Sequence, residues 1–207
     1  MKGLKRFLAV VLAAVIITGL AAPVQSEAAA IPKIKKVKLY EIYPEDNCAY
    51  LQVTTSGTGK TQKYEYKVYV NGKPKKKGTS GVARIGKKEY CEVKLPAYTA
   101  CTVRVRAKRG GKWSKWSGYT AVVPPVKMRR NTISGSIVTL RWKKMTGATN
   151  YVVYIKNESS GKLKKAAVCK GTTVMINISG YGKDFFSDYS FRIIARKKLG
   201  GKYIGSM

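Results

Sequence analysis

From residue 31 onward, apolar and polar residues alternate with a period of two in short runs, and a helical period is almost absent. Val138, Leu140 and Trp142 fall on one side of such a run, and Phe191, Ile193 and Ala195 on one side of another. Gly, Lys, Asn and Pro turns separate the runs. The pattern predicts an all-β chain of short, half-buried strands. The N-terminus reads differently. Lys2, Lys5 and Arg6 precede an uninterrupted apolar run from Phe7 to Ile17 that continues to Ala22, and Ala28-Ala29-Ala30 follows after Pro23. Basic, apolar, then small is the order of a secretory signal peptide, so residues 1–30 are expected to be removed and the mature protein exported. The apolar stretch of roughly 16 residues falls short of the ~20 of a spanning helix, and no membrane span is expected after cleavage.

The mature region repeats itself at an offset of about 85–90 residues. Leu51-Gln52-Val53 answers Leu140-Arg141-Trp142, and the run Tyr66 to Val70 answers Tyr151 to Ile155. Val105-Arg106-Ala107 answers Ile193-Ile194-Ala195, and Gly110-Gly111-Lys112-Trp113 answers Gly200-Gly201-Lys202-Tyr203. Matches in the same order indicate a tandem duplication. Pro124-Pro125 marks the join, because neither a helix nor a central strand continues through it. The expected units are residues 31–124 and 125–207. About seven strands at 8–12-residue spacing in each is the pattern of a β-sandwich.

In the second unit, Val138-x-Leu140-x-Trp142, then Gly147 to Tyr154, then Tyr189-x-Phe191-x-Ile193-x-Ala195, resembles a fibronectin type III domain of the bacterial secreted kind. The resemblance implies two tandem Ig-like sandwiches, with Trp142 on strand B, Tyr151 on strand C and Tyr189 as a tyrosine corner whose hydroxyl bonds back to nearby backbone. The first unit departs from the pattern. Val53 stands where the strand-B Trp is expected, and Cys101 occupies the tyrosine-corner position. The resemblance also implies that strands B and F begin at one end of the sandwich, which brings Cys48 near Cys101. A Cys48–Cys101 bridge, closing a loop of about 50 residues, would contribute ~2–4 kcal/mol. A Cys91–Cys101 bridge and unbridged buried thiols are the other readings. Trp113-Ser114-Lys115-Trp116-Ser117 matches the WSxWS sequence of cytokine-receptor fibronectin type III domains, and Arg104 and Arg106 alternate with inward Val103 and Val105 just before it. That resemblance implies a structural cation–π ladder of Arg104, Arg106, Trp113 and Trp116.

Composition narrows the function. The chain has 207 residues, 41 Lys+Arg against 10 Asp+Glu, a formal charge of +31 and no histidine. Absence of histidine excludes a His-based triad, a His-ligated metal and imidazole acid–base chemistry. The 4 cysteines have no C-x-x-C spacing, so zinc is not expected. The carboxylates form no motif with a nucleophile, and Gly110-Gly111 reads as a hairpin turn rather than a phosphate loop. No enzymatic activity, metal or cofactor is expected.

The charge excess points instead to an anionic partner. Candidate polyanion contacts are Lys73, Lys75, Lys76 and Lys77, Lys108 and Arg109, Lys164 and Lys165, and Lys197 and Lys198. Lys outnumbers Arg and no groove-reading motif is present, so sequence-specific nucleic-acid binding is not expected. The expected function is non-catalytic attachment to an anionic cell-wall polymer or glycan, outside the cell or loosely on its surface. The alternative is a structural spacer or protein-partner-binding module whose lysines are incidental. The alignment places Met207 opposite Ser117, so the last strand of the second unit is expected to be short, with room beside its neighbour for a partner or a second copy.

Overall fold

The computed structural model describes residues 31–57 and 59–206, and the expected signal peptide lies outside the described residues. Nine strands come first: β1 (Lys33–Tyr43), β2 (Cys48–Ser56), β3 (Lys63–Val70), β4 (Lys73–Ser80), β5 (Val82–Ile85), β6 (Lys88–Lys94), β7 (Cys101–Arg109), β8 (Lys112–Trp113) and β9 (Thr120–Val122). They build one sheet in the order β1-β2-β6-β5 and another in the order β4-β3-β7-β8, with β9 also pairing β7. Ala49, Leu51 and Val53 of β2 and Cys91 and Val93 of β6 project from the first sheet. They meet Tyr64, Tyr66 and Val68 of β3 and Val103, Val105 and Ala107 of β7 in one buried core. Every second residue points inward, as the pleat requires.

The arrangement recurs. β10 (Thr132–Ser134), β11 (Ile137–Arg141), β12 (Asn150–Asn157), β13 (Leu163–Cys169), β14 (Thr173–Asn177), β15 (Tyr189–Leu199) and β16 (Lys202–Gly205) form sheets in the orders β10-β11-β14 and β13-β12-β15-β16. A four-residue helix α1 (Phe185–Asp188) precedes β15. The second core centres on Trp142, whose ring meets Tyr151 edge-on at 5.3 Å. Both halves are all-β sandwiches of the Ig-like, fibronectin type III-like kind, shown by these strand orders. In the first, β8 and β9 flank the two ends of β7. In the second, β16 pairs Arg196 to Leu199 of β15, and Ser206 N–H extends the pairing to the Ala195 carbonyl at 2.8 Å.

Tyr189 begins β15, as expected of a strand F, but no hydrogen bond of its hydroxyl is recorded among the described residues. Its ring stacks on Phe185 at 5.4 Å and meets Tyr181 edge-on at 5.1 Å. Aromatic packing against α1 replaces the hydroxyl tether.

The two sandwiches meet through main chain. Thr99 bridges Thr146, and Ala100 N–H donates to the Thr146 carbonyl at 2.8 Å. Tyr98 donates its hydroxyl hydrogen to the Lys143 carbonyl at 3.0 Å and accepts from Lys127 N–H at 2.9 Å. Gly147 has φ +76°, and a Cβ there would collide with the Ala100 carbonyl oxygen. Only glycine combines that backbone with that approach.

Candidate functional site

The outer face of the β4-β3-β7-β8 sheet is built in rungs. Lys77, Lys67 and Arg104 lie in register across it. Thr79, Glu65 and Arg106 form the next rung, and Lys63, Lys108 and Trp113 the one after. Because Tyr64, Tyr66 and Val68 point into the core, the intervening Lys63, Glu65 and Lys67 must point out. Six cations and one carboxylate therefore share this face.

Aromatic rings lie among the cations. The Arg106 guanidinium is 4.7 Å from the Trp113 ring centroid and 4.9 Å from that of Trp116. Lys67 approaches Trp116 at 4.9 Å, and Lys63 and Lys108 approach Trp113 at 5.9 and 6.0 Å. Arg104 stacks on neither tryptophan. Its guanidinium lies 5.1 Å from the ring of Tyr119, which itself meets Tyr69 edge-on at 5.4 Å. The expected ladder of Arg104, Arg106, Trp113 and Trp116 is thus present only in part, with Tyr119 as a third ring that the sequence reading missed. Trp113, Trp116 and Tyr119 recur every third residue, and that spacing was the available signal.

The intervening serines hold the segment down. Ser114 and Ser117 are buried, and their hydroxyl oxygens accept from Ala107 N–H at 2.9 Å and Val105 N–H at 3.0 Å. Their own N–H groups donate to the carbonyls of the same two residues, each at 2.8 Å. Arg104 Nε donates to the Ser117 carbonyl at 2.7 Å. The segment completes the edge of β7 by alternating main-chain and hydroxyl bonds, which leaves the rings spread over the face.

Among the described residues, Glu65 is the sole carboxylate there. Its Oε2 accepts from Arg106 Nε at 2.6 Å, and Oε1 lies 3.1 Å from Lys77 Nζ. Burial alone would push this carboxyl up. Hydrogen bonds from Arg106 and Lys77, with their charges, outweigh burial and hold it below the usual carboxylate range.

The remaining candidate contacts divide. Lys73, Lys75 and Lys76 are exposed along the edge strand β4, and Lys164 and Lys165 along the edge strand β13. Lys198 is also exposed. Arg109 and Lys197 are not surface contacts, being 4% and 7% exposed. Arg109 donates to the Ser56 carbonyl at 3.0 Å and the Thr55 hydroxyl at 3.1 Å. Lys197 Nζ donates to the Gly147 carbonyl at 3.0 Å. The cause is strand phase. Arg109 continues the inward series Val103, Val105, Ala107, and Lys197 continues Ile193, Ala195. Burial lowers the Lys197 pKa, and the nearby Cys101 thiol opposes that shift.

The expected Cys48–Cys101 bridge is not formed, since Cys101 is a thiol. Ala49, Leu51 and Val53 face the core from β2, so Cys48 stands in the opposite phase, whereas Cys101 faces inward from the other sheet. Cys91 is also a thiol and faces inward, and burial pushes both it and Cys101 up to about 12. Among the described residues no group of three or more metal-ligating side chains occurs, and no helix is long and apolar enough to cross a membrane.

No family model matches the chain, and no curated protein matches it. Among solved structures, the chain is similar to the crystal structure of the chicken CNTN1 FN1–FN3 domains, at 13% identity and a TM-score of 0.32, over 84% of this chain and 64% of that one. The chain thus spans 64% of that structure's length.

Proposed function

We propose that the protein is an exported, non-catalytic binding module of two sandwich units, residues 31–124 and 125–207, which attaches by its basic surface to an anionic cell-surface polymer or glycan. The observation that carries this reading is the outer face of β4-β3-β7-β8, where six cations stand over one carboxylate that two of them already engage. A surface of one sign attracts polyanions and releases their counterions. The rings of Trp113, Trp116 and Tyr119 hold cationic side chains extended at modest cost, about 0.5–1 kcal/mol per exposed contact. Lys73, Lys75, Lys76 and Lys77 on β4 extend the same field to the sheet edge.

One observation favours the spacer reading. The lysine-rich strands β4 and β13 are both sheet edges, where lysine also discourages unwanted strand pairing. Binding separates the two readings. Residues 31–207 are passed over immobilised heparin and over an uncharged dextran at low salt. Retention on heparin alone supports attachment by charge, and flow-through from both leaves the spacer reading.

A further inference from the structure

A second cationic array lies at the end of β11 and arises from a different pairing. Met128 forms an antiparallel bridge with Trp142, flanked by Arg129 N–H to the Arg141 carbonyl and Lys143 N–H to the Lys127 carbonyl, both 2.9 Å. Trp142 fills the second core and is 1% exposed, so its neighbours Arg141 and Lys143 project to the other side. The register puts Lys127 across from Lys143 and Arg129 across from Arg141 on that outward side. Four exposed cations form a two-by-two array, about 5.5 Å across the strands and ~6.6–6.8 Å along them between backbone positions.

Like charges directly opposite one another in an antiparallel pair are destabilising. On the first-unit face the protein answers its cations with Glu65. Here, among the described residues, none of the four cations has an ion pair. Glu45 lines the adjoining cleft with Lys127 and Lys143, and pairs with neither. The array is nonetheless held in shape. Tyr98 ties together the backbones of Lys127 and Lys143 through its hydroxyl, and both ammonium groups approach its ring, at 5.8 and 5.6 Å. It does so at φ +44°, a left-handed conformation that is costly for a bulky residue. Strain and repulsion maintained together around four exposed cations that no carboxylate engages are the marks of a site that an anion completes.

We propose that Lys127, Arg129, Arg141 and Lys143 form a discrete site for successive phosphate or sulfate groups of one linear polymer. This rests on the polyanion reading above and gives it a location. The two-residue repeat along each strand sets the separation of the anionic groups, and the guanidinium pair supplies forked donors that match tetrahedral oxyanions.

The test compares three forms of residues 31–207: the wild type, the variant K127Q/R129Q/R141Q/K143Q, and the charge-matched variant K35Q/K36Q/K87Q/K88Q. Inorganic polyphosphate and heparin are titrated separately at low salt, which identifies the phosphate or the sulfate source. The array variant is expected to bind at least one polymer about tenfold more weakly than the wild type, with a shallower salt dependence, and the charge-matched variant within about threefold. Without polymer, the array variant is expected to melt at or above the wild-type temperature, because repulsion has been removed. Equal loss in both variants overturns the site and leaves general polyanion binding standing. A lower melting temperature for the array variant also overturns it, by making the four residues structural. No binding by the wild type to either polymer removes both readings.

Discussion

The Arg106 side chain donates to the Glu65 carboxylate at 2.6 Å while its guanidinium lies against the rings of Trp113 and Trp116. Glu65 and Arg106 sit directly opposite one another on β3 and β7, in the middle of a face otherwise occupied by cations and rings. The pair fixes Arg106, Arg106 spaces the tryptophans, and the serines between those tryptophans close the edge of β7. One carboxylate therefore anchors the cation at the centre of the face.

Replacing Glu65 with Gln is expected to cost about 1–3 kcal/mol at neutral pH, because the half-enclosed Arg106 loses its charge partner, while the exposed Lys77 loses little. The folded-state pKa of Glu65 is depressed, so its contribution is fully present above the ordinary value of 4.5 and is lost as pH falls below it. Urea unfolding of wild type and variant from pH 7 to pH 3 checks this. The two curves should converge on acidification.

Lys197 carries the opposite sign. Its depressed pKa means that the unfolded chain binds the proton more readily, so its contribution to stability rises with pH toward the ordinary value of 10.5. Lys197→Met is expected to be more stable than wild type at pH 7, with the advantage shrinking as pH approaches 10. Because the buried Cys101 thiol is coupled to Lys197, both proteins carry Cys101→Ala, and the difference between the two then isolates Lys197. A difference independent of pH would show that the amine is not perturbed.

Gly147→Ala meets two penalties, a left-handed backbone at ~1–2 kcal/mol and a collision with the Ala100 carbonyl. Gly161→Ala, at φ +66° with open space around it, meets the first alone. Gly147→Ala is therefore expected to destabilise more than Gly161→Ala and to speed hydrogen exchange at the Ala100 amide, which donates across the junction to Thr146.

Alkylation reads the thiols. In the native protein at pH 8, Cys169 is only partly covered and should react before Cys91 and Cys101, whose burial pushes them up to about 12. After denaturation without reductant, Cys91 and Cys101 should both be alkylated. A mass lower by two hydrogens would indicate a bridge.

Period-two alternation made the sandwich legible in the sequence, because Leu140, Trp142, Ile193 and Ala195 repeat a phase already set by Leu51, Val53, Val105 and Ala107. The same rule explains the misplaced site residues. Arg109 and Lys197 looked like surface charge by composition, yet each lies two residues beyond the last inward alanine of its strand and inherits that direction. Cys48 was paired with Cys101 by its place along the fold, without regard to phase, and one position along β2 turned it away. Tyr119 left only its three-residue spacing from Trp116 as a signal, and the Lys127–Lys143 pairing left none. The first depends on how an irregular segment docks on β7, and the second on a short antiparallel pairing within the second unit, between the segment after Pro125 and the end of β11, that no local pattern records.

The most direct measurement of the central claim, attachment by charge, is the salt dependence of heparin binding by residues 31–207. Four or more displaced counterions should give a straight plot of log affinity against log salt with a slope of about −3 or steeper. A slope near zero, or no binding at the lowest salt, would contradict it.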